Sequence, residues 1–135
     1  MGKIRSFARQ LIHSLYFLKT KRIVYGNLRP SKVLLRKSKR GELEICISDF
    51  SNVIEETTTL QDYDFESRAQ LYGHRNQDKS SSQLPYLAPE LIVGGDKRKT
   101  MSSAVDIWSF GCVLLELIKG KALFPAKNEE ELLAM

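Results

Sequence analysis

Apolar residues at Ile4, Phe7, Ala8, Leu11, Ile12, Leu15 and Leu18 recur at three- and four-residue intervals. That spacing lines one face of a helix of about four turns. Arg5, Arg9, Gln10 and His13 fall off that face. A short apolar stub, Ile23-Val24, comes next, followed by a polar loop broken by Gly26 and Pro30. Val33-Leu34-Leu35 reads as a short buried strand, and Lys37 to Gly41 as a turn. Beyond the turn, Leu43, Ile45 and Ile47 alternate with Glu44 and Cys46. This is the period of a second strand pairing with the first. Residues 51–84 show little periodicity and read as one long loop, acidic at Glu55, Glu56, Asp62, Asp64 and Glu66. Helical signals resume at Pro89-Glu90-Leu91-Ile92 and stop at Gly94-Gly95. Ser102 or Ser103 caps a further helix that runs to Lys119, with Gly120 as its stop. Its apolar residues, from Val105 to Ile118, cover nearly every face, so the pattern predicts a helix buried all round. Asn128 with Glu131 resembles a capping box that opens a last helix.

Composition narrows the class. With 135 residues, 42% hydrophobic and 27% charged, the chain is one globular domain or part of one. It is neither collagen-like nor wholly disordered, and no apolar run is long enough to span a bilayer. Cys46 and Cys112 are too few for a disulfide scaffold or a zinc site, and both read as small buried hydrophobes. The net charge of +5 conceals a division. Residues 1–41 carry 12 Lys and Arg and no acid; the remainder carries 9 Lys and Arg against 16 acids. A +12 segment therefore precedes a −7 remainder. Such a division suits either an anionic partner surface or two halves that face each other on folding. The start Met1-Gly2-Lys3-Ile4-Arg5-Ser6 fits a myristoylation pattern, and its freedom from acids resembles a transit peptide. The periodic apolar positions favour a folded helix over both.

Four motifs fix a resemblance. Asp49-Phe50-Ser51 follows a strand as D-F-G does, and Ala88-Pro89-Glu90 spells A-P-E. Asp106-Ile107-Trp108-Ser109-Phe110-Gly111 matches D-x-W-S-x-G, and Ile23 to Leu35 aligns without a gap to I-I-H-R-D-L-K-P-E-N-I-L-L. In this order and these contexts they resemble the eukaryotic protein kinase family over essentially the whole chain. Val105 to Ser109 and Leu123-Phe124-Pro125 look most like Ser/Thr kinases of the cyclin-dependent and dual-specificity branch, although Leu87 stands where that branch usually has arginine. The resemblance implies an α+β fold: a fragment of the kinase C-terminal (large) lobe, mainly helical with a small β-hairpin, the N-terminal lobe absent. It divides this partial kinase domain, residues 1–135, into four parts. A helix and catalytic loop occupy 1–36, the activation segment 49–90, the buried helix 102–119, and the start of a last helix 128–135. It further implies ATP and Mg²⁺ as the family's cofactors and an intracellular setting, cytoplasmic or nuclear.

Carried over residue by residue, the resemblance predicts a damaged site. Asn27 stands where the aspartate of H-R-D accepts the substrate proton, which an amide cannot do. Arg29 takes the place of the lysine that contacts phosphate. Lys32 replaces the asparagine that binds the second Mg²⁺; an ammonium repels a cation, so Lys32 either neutralises phosphate directly or is a solvated cation. Asp49 remains as the metal ligand, with a turn-capping carboxylate as the alternative. Ser51 replaces a glycine whose backbone freedom a Cβ restricts. Gly26 replaces the arginine that pairs with activation-loop phosphate, and Tyr25 replaces the histidine. The framework residues Pro30, Leu34, Leu35, Phe50, Ala88, Pro89, Glu90, Asp106, Trp108 and Gly111 stand. By resemblance, Asp106 holds the catalytic-loop backbone and Trp108 is core. Glu90 pairs with an arginine that would lie beyond Met135, which leaves a partly buried carboxylate uncompensated.

The expected function is that of a catalytically inactive pseudokinase with a binding or scaffolding role. Its expected partner is another protein, not DNA, RNA or a membrane. One alternative is part of an ATP-dependent Ser/Thr kinase whose small lobe lies elsewhere. A second is an anionic-surface binder, membrane or nucleic acid, acting through residues 1–41. A third is a chain that does not fold stably.

Overall fold

A computed structural model describes residues 2–51, 53–56, 84–93, 102–126 and 129–135. The first amphipathic pattern forms helix α1, Gly2–Thr20, which buries Leu11, Leu15 and Leu18. It ends as Arg22 turns into the left-handed region at φ 57°. Strand β1 (Ile23–Val24) follows, then a loop and a 3-10 turn at Pro30–Lys32. Proline at the head of that turn costs nothing, because a first-turn N–H has no partner there. Strands β2 (Val33–Lys37) and β3 (Leu43–Ile47) form the expected antiparallel hairpin, with Val33 opposite Ile47 and Lys37 opposite Leu43. Its turn closes through the Ser38 N–H bonded to the Glu42 carbonyl at 2.8 Å, with Gly41 at φ +81°, a conformation glycine adopts without steric cost. The cross-strand ion pair Arg36–Glu44, 2.9 Å, is exposed and contributes little.

The stretch read as one long loop contains a strand. Ile54–Glu55 forms β4 and pairs antiparallel with β1. Two-residue strands carry no period, so the pattern could not reveal them. Of the acidic stretch, Glu55 and Glu56 lie beside β1: the Glu56 N–H bonds the Arg22 carbonyl at 2.8 Å. Asp62, Asp64 and Glu66 fall outside the described residues, as do Gly94-Gly95 and Asn128.

Helices α2 (Pro89–Val93), α3 (Ala104–Lys119) and α4 (Glu129–Leu133) complete the chain. Gly120 ends α3 in the left-handed conformation, its N–H bonded to the Glu116 carbonyl at 2.7 Å. At the other end, Ser102 Oγ accepts from the Ala104 N–H at 3.3 Å, while the Ser103 N–H donates to Glu56 Oε1 at 2.9 Å. Among the described residues, no helix is long and apolar enough to cross a membrane.

The core joins Leu11, Leu15 and Leu18 to Tyr25, Leu28, Ile45, Tyr86, Cys112 and Val113. A second cluster joins Val24, Ile54, Ala88 and Val105. Three expectations of burial fail here. Helix α3 is not buried all round: Ile107, Leu115, Leu117 and Ile118 are exposed, Ile118 at 55%. Trp108 is not core but 39% exposed, stacked on Phe124 with ring centroids 6.1 Å apart. Leu34 and Leu35 are 53% and 60% exposed, so β2 is not a buried strand. One face of α3 packs on α1, and one face of the hairpin on α1. Helix α3 packs also on the turn Leu84–Tyr86. Cys46 is half-buried, whereas Cys112 is buried; both are free thiols.

Candidate functional site

The loop between β1 and β2 is built around one carboxylate. Asp106, buried in the first turn of α3, accepts hydrogen bonds from the Tyr25 N–H and the Gly26 N–H, each at 2.8 Å. The role carried over for Asp106 is therefore visible in its geometry. Burial raises its pKa to about 6, against the lowering effect of the two backbone donors. Gly26 sits at φ +73°, where the absence of a Cβ removes the steric penalty of the left-handed region. Tyr25 is wholly buried, its hydroxyl donates to the Ser48 carbonyl, and Phe50 meets its ring edge-on at 5.6 Å. Burial, then the Asp49 charge, pushes the Tyr25 hydroxyl up to about 12. Tyr25 thus ties the loop to the end of β3.

Hairpin register decides what faces what. With Val33 opposite Ile47, the next pair outward is Lys32 and Ser48. The Lys32 carbonyl accepts both the Ser48 N–H at 2.8 Å and the Ser48 hydroxyl at 3.0 Å. Asp49 follows immediately, and the Lys32 ammonium forms an ion pair with Asp49 Oδ2. Lys32 is no solvated cation, since its side chain is only 18% exposed. Asp49 Oδ1 accepts from both the hydroxyl and the N–H of Ser51. The ammonium of Lys32, then the two donors of Ser51, hold the Asp49 carboxyl well below the usual range. The backbone cost expected at Ser51 falls instead on Asp49. Its φ of 59° lies in the left-handed region, and Ser51 is not among the positive-φ residues. Aspartate tolerates that region because its carboxylate bonds the backbone two residues on.

Asn27 is buried, and its Oδ1 has no hydrogen-bond partner among the described residues. It borders a recess lined also by Gly26, Leu28, Tyr86, Leu87, Ala88, Leu91, Val105 and Ser109, with room for about one water. Ser109 fixes this wall through its hydroxyl, bonded to the carbonyls of Tyr86 at 2.7 Å and Val105 at 3.0 Å. The Tyr86 hydroxyl donates to Glu116, and burial followed by that bond raises its pKa. Arg29 is half-buried, and its charge acts on both Tyr25 and Tyr86.

The structure therefore brings Lys32, Asp49 and Ser51 together, and joins Asp106 to the loop that carries Asn27. Phe50 is exposed but touches Tyr25. Ala88 shares the recess with Asn27. Glu90 and Pro89 are exposed, so the buried, uncompensated carboxylate expected at Glu90 does not arise. Gly111 lies within α3, where an added Cβ would meet nothing within 4 Å. Gln10 lies off the apolar face of α1, yet its side chain brackets β3. Its Oε1 accepts from the Ile45 N–H at 2.9 Å, and its Nε2 donates to the Leu43 carbonyl at 3.3 Å. The two ion pairs among the described residues, Lys32–Asp49 and Arg36–Glu44, each join a base before position 42 to an acid after it.

A divalent cation does not fit this carboxylate. Mg²⁺ demands oxygen lone pairs at about 2.0–2.1 Å, and both Asp49 oxygens already face donors of the chain itself. Among the described residues, no three His, Cys, Asp or Glu side chains group to hold a metal.

Comparison with known proteins follows the same line. The human "Dual specificity tyrosine-phosphorylation-regulated kinase 3" is 33% identical over 131 residues, covering 97% of this chain and 18% of that protein. "Cyclin-dependent kinase G1" of Arabidopsis thaliana is 32% identical over 130 residues, covering 95% of this chain and 18% of its own length. "Dual specificity protein kinase YAK1" of Saccharomyces cerevisiae is 32% identical over 126 residues, covering 93% and 13%. The chain thus spans less than a fifth of the length of these curated relatives. The family description of the protein kinase domain matches residues 1–135 from end to end. By its motifs, its loop held on Asp106 and this match, the chain belongs to the protein kinase family.

Proposed function

We propose that this chain is a kinase-derived binding module, corresponding to part of the large lobe, with no phosphotransferase activity of its own. The observation that carries the reading is the recess around Asn27. Its lining offers an amide, a serine hydroxyl and a tyrosine whose pKa is raised, and no carboxylate or imidazole. None of these takes a proton near neutral pH, and general-base catalysis contributes roughly 10²–10⁴-fold where it operates. Arg29 and Lys32 keep positive charge at positions that meet phosphate and metal in the family, but Lys32 is neutralised by Asp49. A binding role is supported by the apolar side chains left exposed on α3, Ile107, Leu115, Leu117 and Ile118. Such a surface suits a protein partner rather than nucleic acid.

Radiolabelled phosphate transfer from ATP to generic basic and acidic substrates tests the reading. The expected incorporation equals that of a heat-denatured control. Incorporation that disappears in Asp49→Ala overturns it. A second reading, a piece of an active Ser/Thr kinase, is favoured by the small share of the relatives that the chain spans. Under that reading, the unsubstituted chain transfers phosphate once joined to the segments its relatives carry beyond the matched region.

A further inference from the structure

The two departures from the kinase pattern at Lys32 and Ser51 converge on one carboxylate. Lys32 occupies Asp49 Oδ2, and Ser51 occupies Oδ1 through its hydroxyl and its N–H. Each change alone reads as decay of a metal site. Together they satisfy the charge and the lone pairs that a metal ion would otherwise satisfy. Lys32 is also delivered to its partner by a fixed frame. Its N–H bonds the Arg29 carbonyl at 2.9 Å within the 3-10 turn, and its carbonyl takes two donors from Ser48. The Lys32 side chain is largely covered, while that of Asp49 is 38% exposed, so the pair lies at the surface with its cationic partner held in place by the fold.

We propose that Lys32 is an internal replacement for a divalent cation: the Asp49 site neither needs nor admits such an ion. A dication approaching Asp49 meets an ammonium at contact distance of the same carboxylate and finds both oxygens engaged. Like charges at such separations repel, and the exposure of Asp49 weakens that repulsion without removing it. An ammonium supplies one positive charge and hydrogen-bond donors but no coordination sphere. It can therefore hold Asp49 in place without orienting a metal-chelated phosphate. The inference rests on the same correspondence of Lys32 and Asp49 to metal positions as the proposed function, but not on the absence of phosphate transfer.

Mn²⁺ is the probe, followed by water-proton relaxation enhancement on the full 135-residue chain. Wild type is expected to bind Mn²⁺ no more tightly than Asp49→Asn. Lys32→Asn is expected to bind it at least tenfold more tightly than wild type, and the gain is expected to vanish in Lys32→Asn/Asp49→Asn. If Lys32→Asn does not fold, Lys32→Met, which keeps the apolar stem of the side chain, takes its place. Binding by wild type tenfold or more tighter than by Asp49→Asn overturns the proposal. So does a folded Lys32 variant that gains no affinity. Mn²⁺ binding by wild type without phosphate transfer overturns this inference alone, and phosphate transfer in the presence of EDTA overturns the proposed inactivity alone.

Discussion

Tyr25→Ala should destabilise the chain by about 3–5 kcal/mol, the range for removing a wholly buried aromatic side chain. The loss has two sources. The ring leaves a cavity between α1 and the start of the loop, where Leu18 and Leu28 belong to the same buried cluster. The hydroxyl bond to the Ser48 carbonyl and the edge contact with Phe50 go with it. Tyr25→Phe separates the two, since it keeps the ring and removes only the hydroxyl. Its expected cost is about 1–2 kcal/mol, that of a lost hydrogen bond with a carbonyl left short of a donor. Urea denaturation of the three proteins checks both values. Domains of this size are stable by only about 5–15 kcal/mol, so Tyr25→Ala should be largely unfolded at modest urea. Equal midpoints for Tyr25→Ala and wild type would show that Tyr25 does not anchor the loop.

Asp106→Ala is the second large effect. It leaves the Tyr25 and Gly26 N–H groups without their acceptor, at about 1–3 kcal/mol for each buried donor. Relief of the buried charge offsets part of this, so the expected net loss is about 3 kcal/mol. The same carboxylate makes stability pH-dependent. Its folded pKa of about 6 lies above the ordinary carboxyl value of 3.8. The folded state therefore binds the proton more tightly, and stability falls as pH rises through that interval. The contribution of the protonated acid is fully present below about pH 4 and lost above about pH 6. By 1.36 kcal/mol per pKa unit it amounts to about 3 kcal/mol. Asp106→Asn, which does not titrate, should lack this slope. The stability difference between wild type and Asp106→Asn should accordingly shrink as pH is raised from 4 to 6, as thermal melts across that range would show. A difference constant with pH would assign the slope to other groups.

These two residues also show how far the chain could be read in advance. Asp106 was placed on the loop backbone by motif alone, and the hydrogen bonds are there at 2.8 Å. Tyr25 was seen only as a replacement for histidine. That it would be wholly buried and bonded to Ser48 required β3 to lie alongside the loop. The Lys32–Asp49 pair lay closer to the surface of the sequence. A hairpin pairing Val33 with Ile47 brings Lys32 beside Ser48, but the turn of Asp49 into the left-handed region, which sets the contact, is not written in the period. Asn27, by contrast, could be named as an amide but not as a buried one, because burial comes from Tyr86, Ala88 and α3, far along the chain.

What the sequence determined by itself is local. Periods of 3.6 and 2 residues placed α1, α3 and the hairpin, because a side chain's direction along a helix or strand repeats with the backbone. Gly120 fixed the end of α3, since the left-handed cap suits a residue without a Cβ. The ordered motifs fixed the family. What only the tertiary structure decided is which apolar faces find a neighbour. Leu34, Leu35, Ile107 and Trp108 read as core and stand exposed, while Gln10, off the apolar face of α1, holds β3. The physical reason is that hydrophobic periodicity records what a face can bury, whereas burial itself is a property of two surfaces brought together. The charge division resolves in the same way. Twenty-one bases, twelve of them before position 42, and sixteen acids, all after position 41, are written in the sequence, but that Lys32 meets Asp49 was settled by the fold around one hairpin.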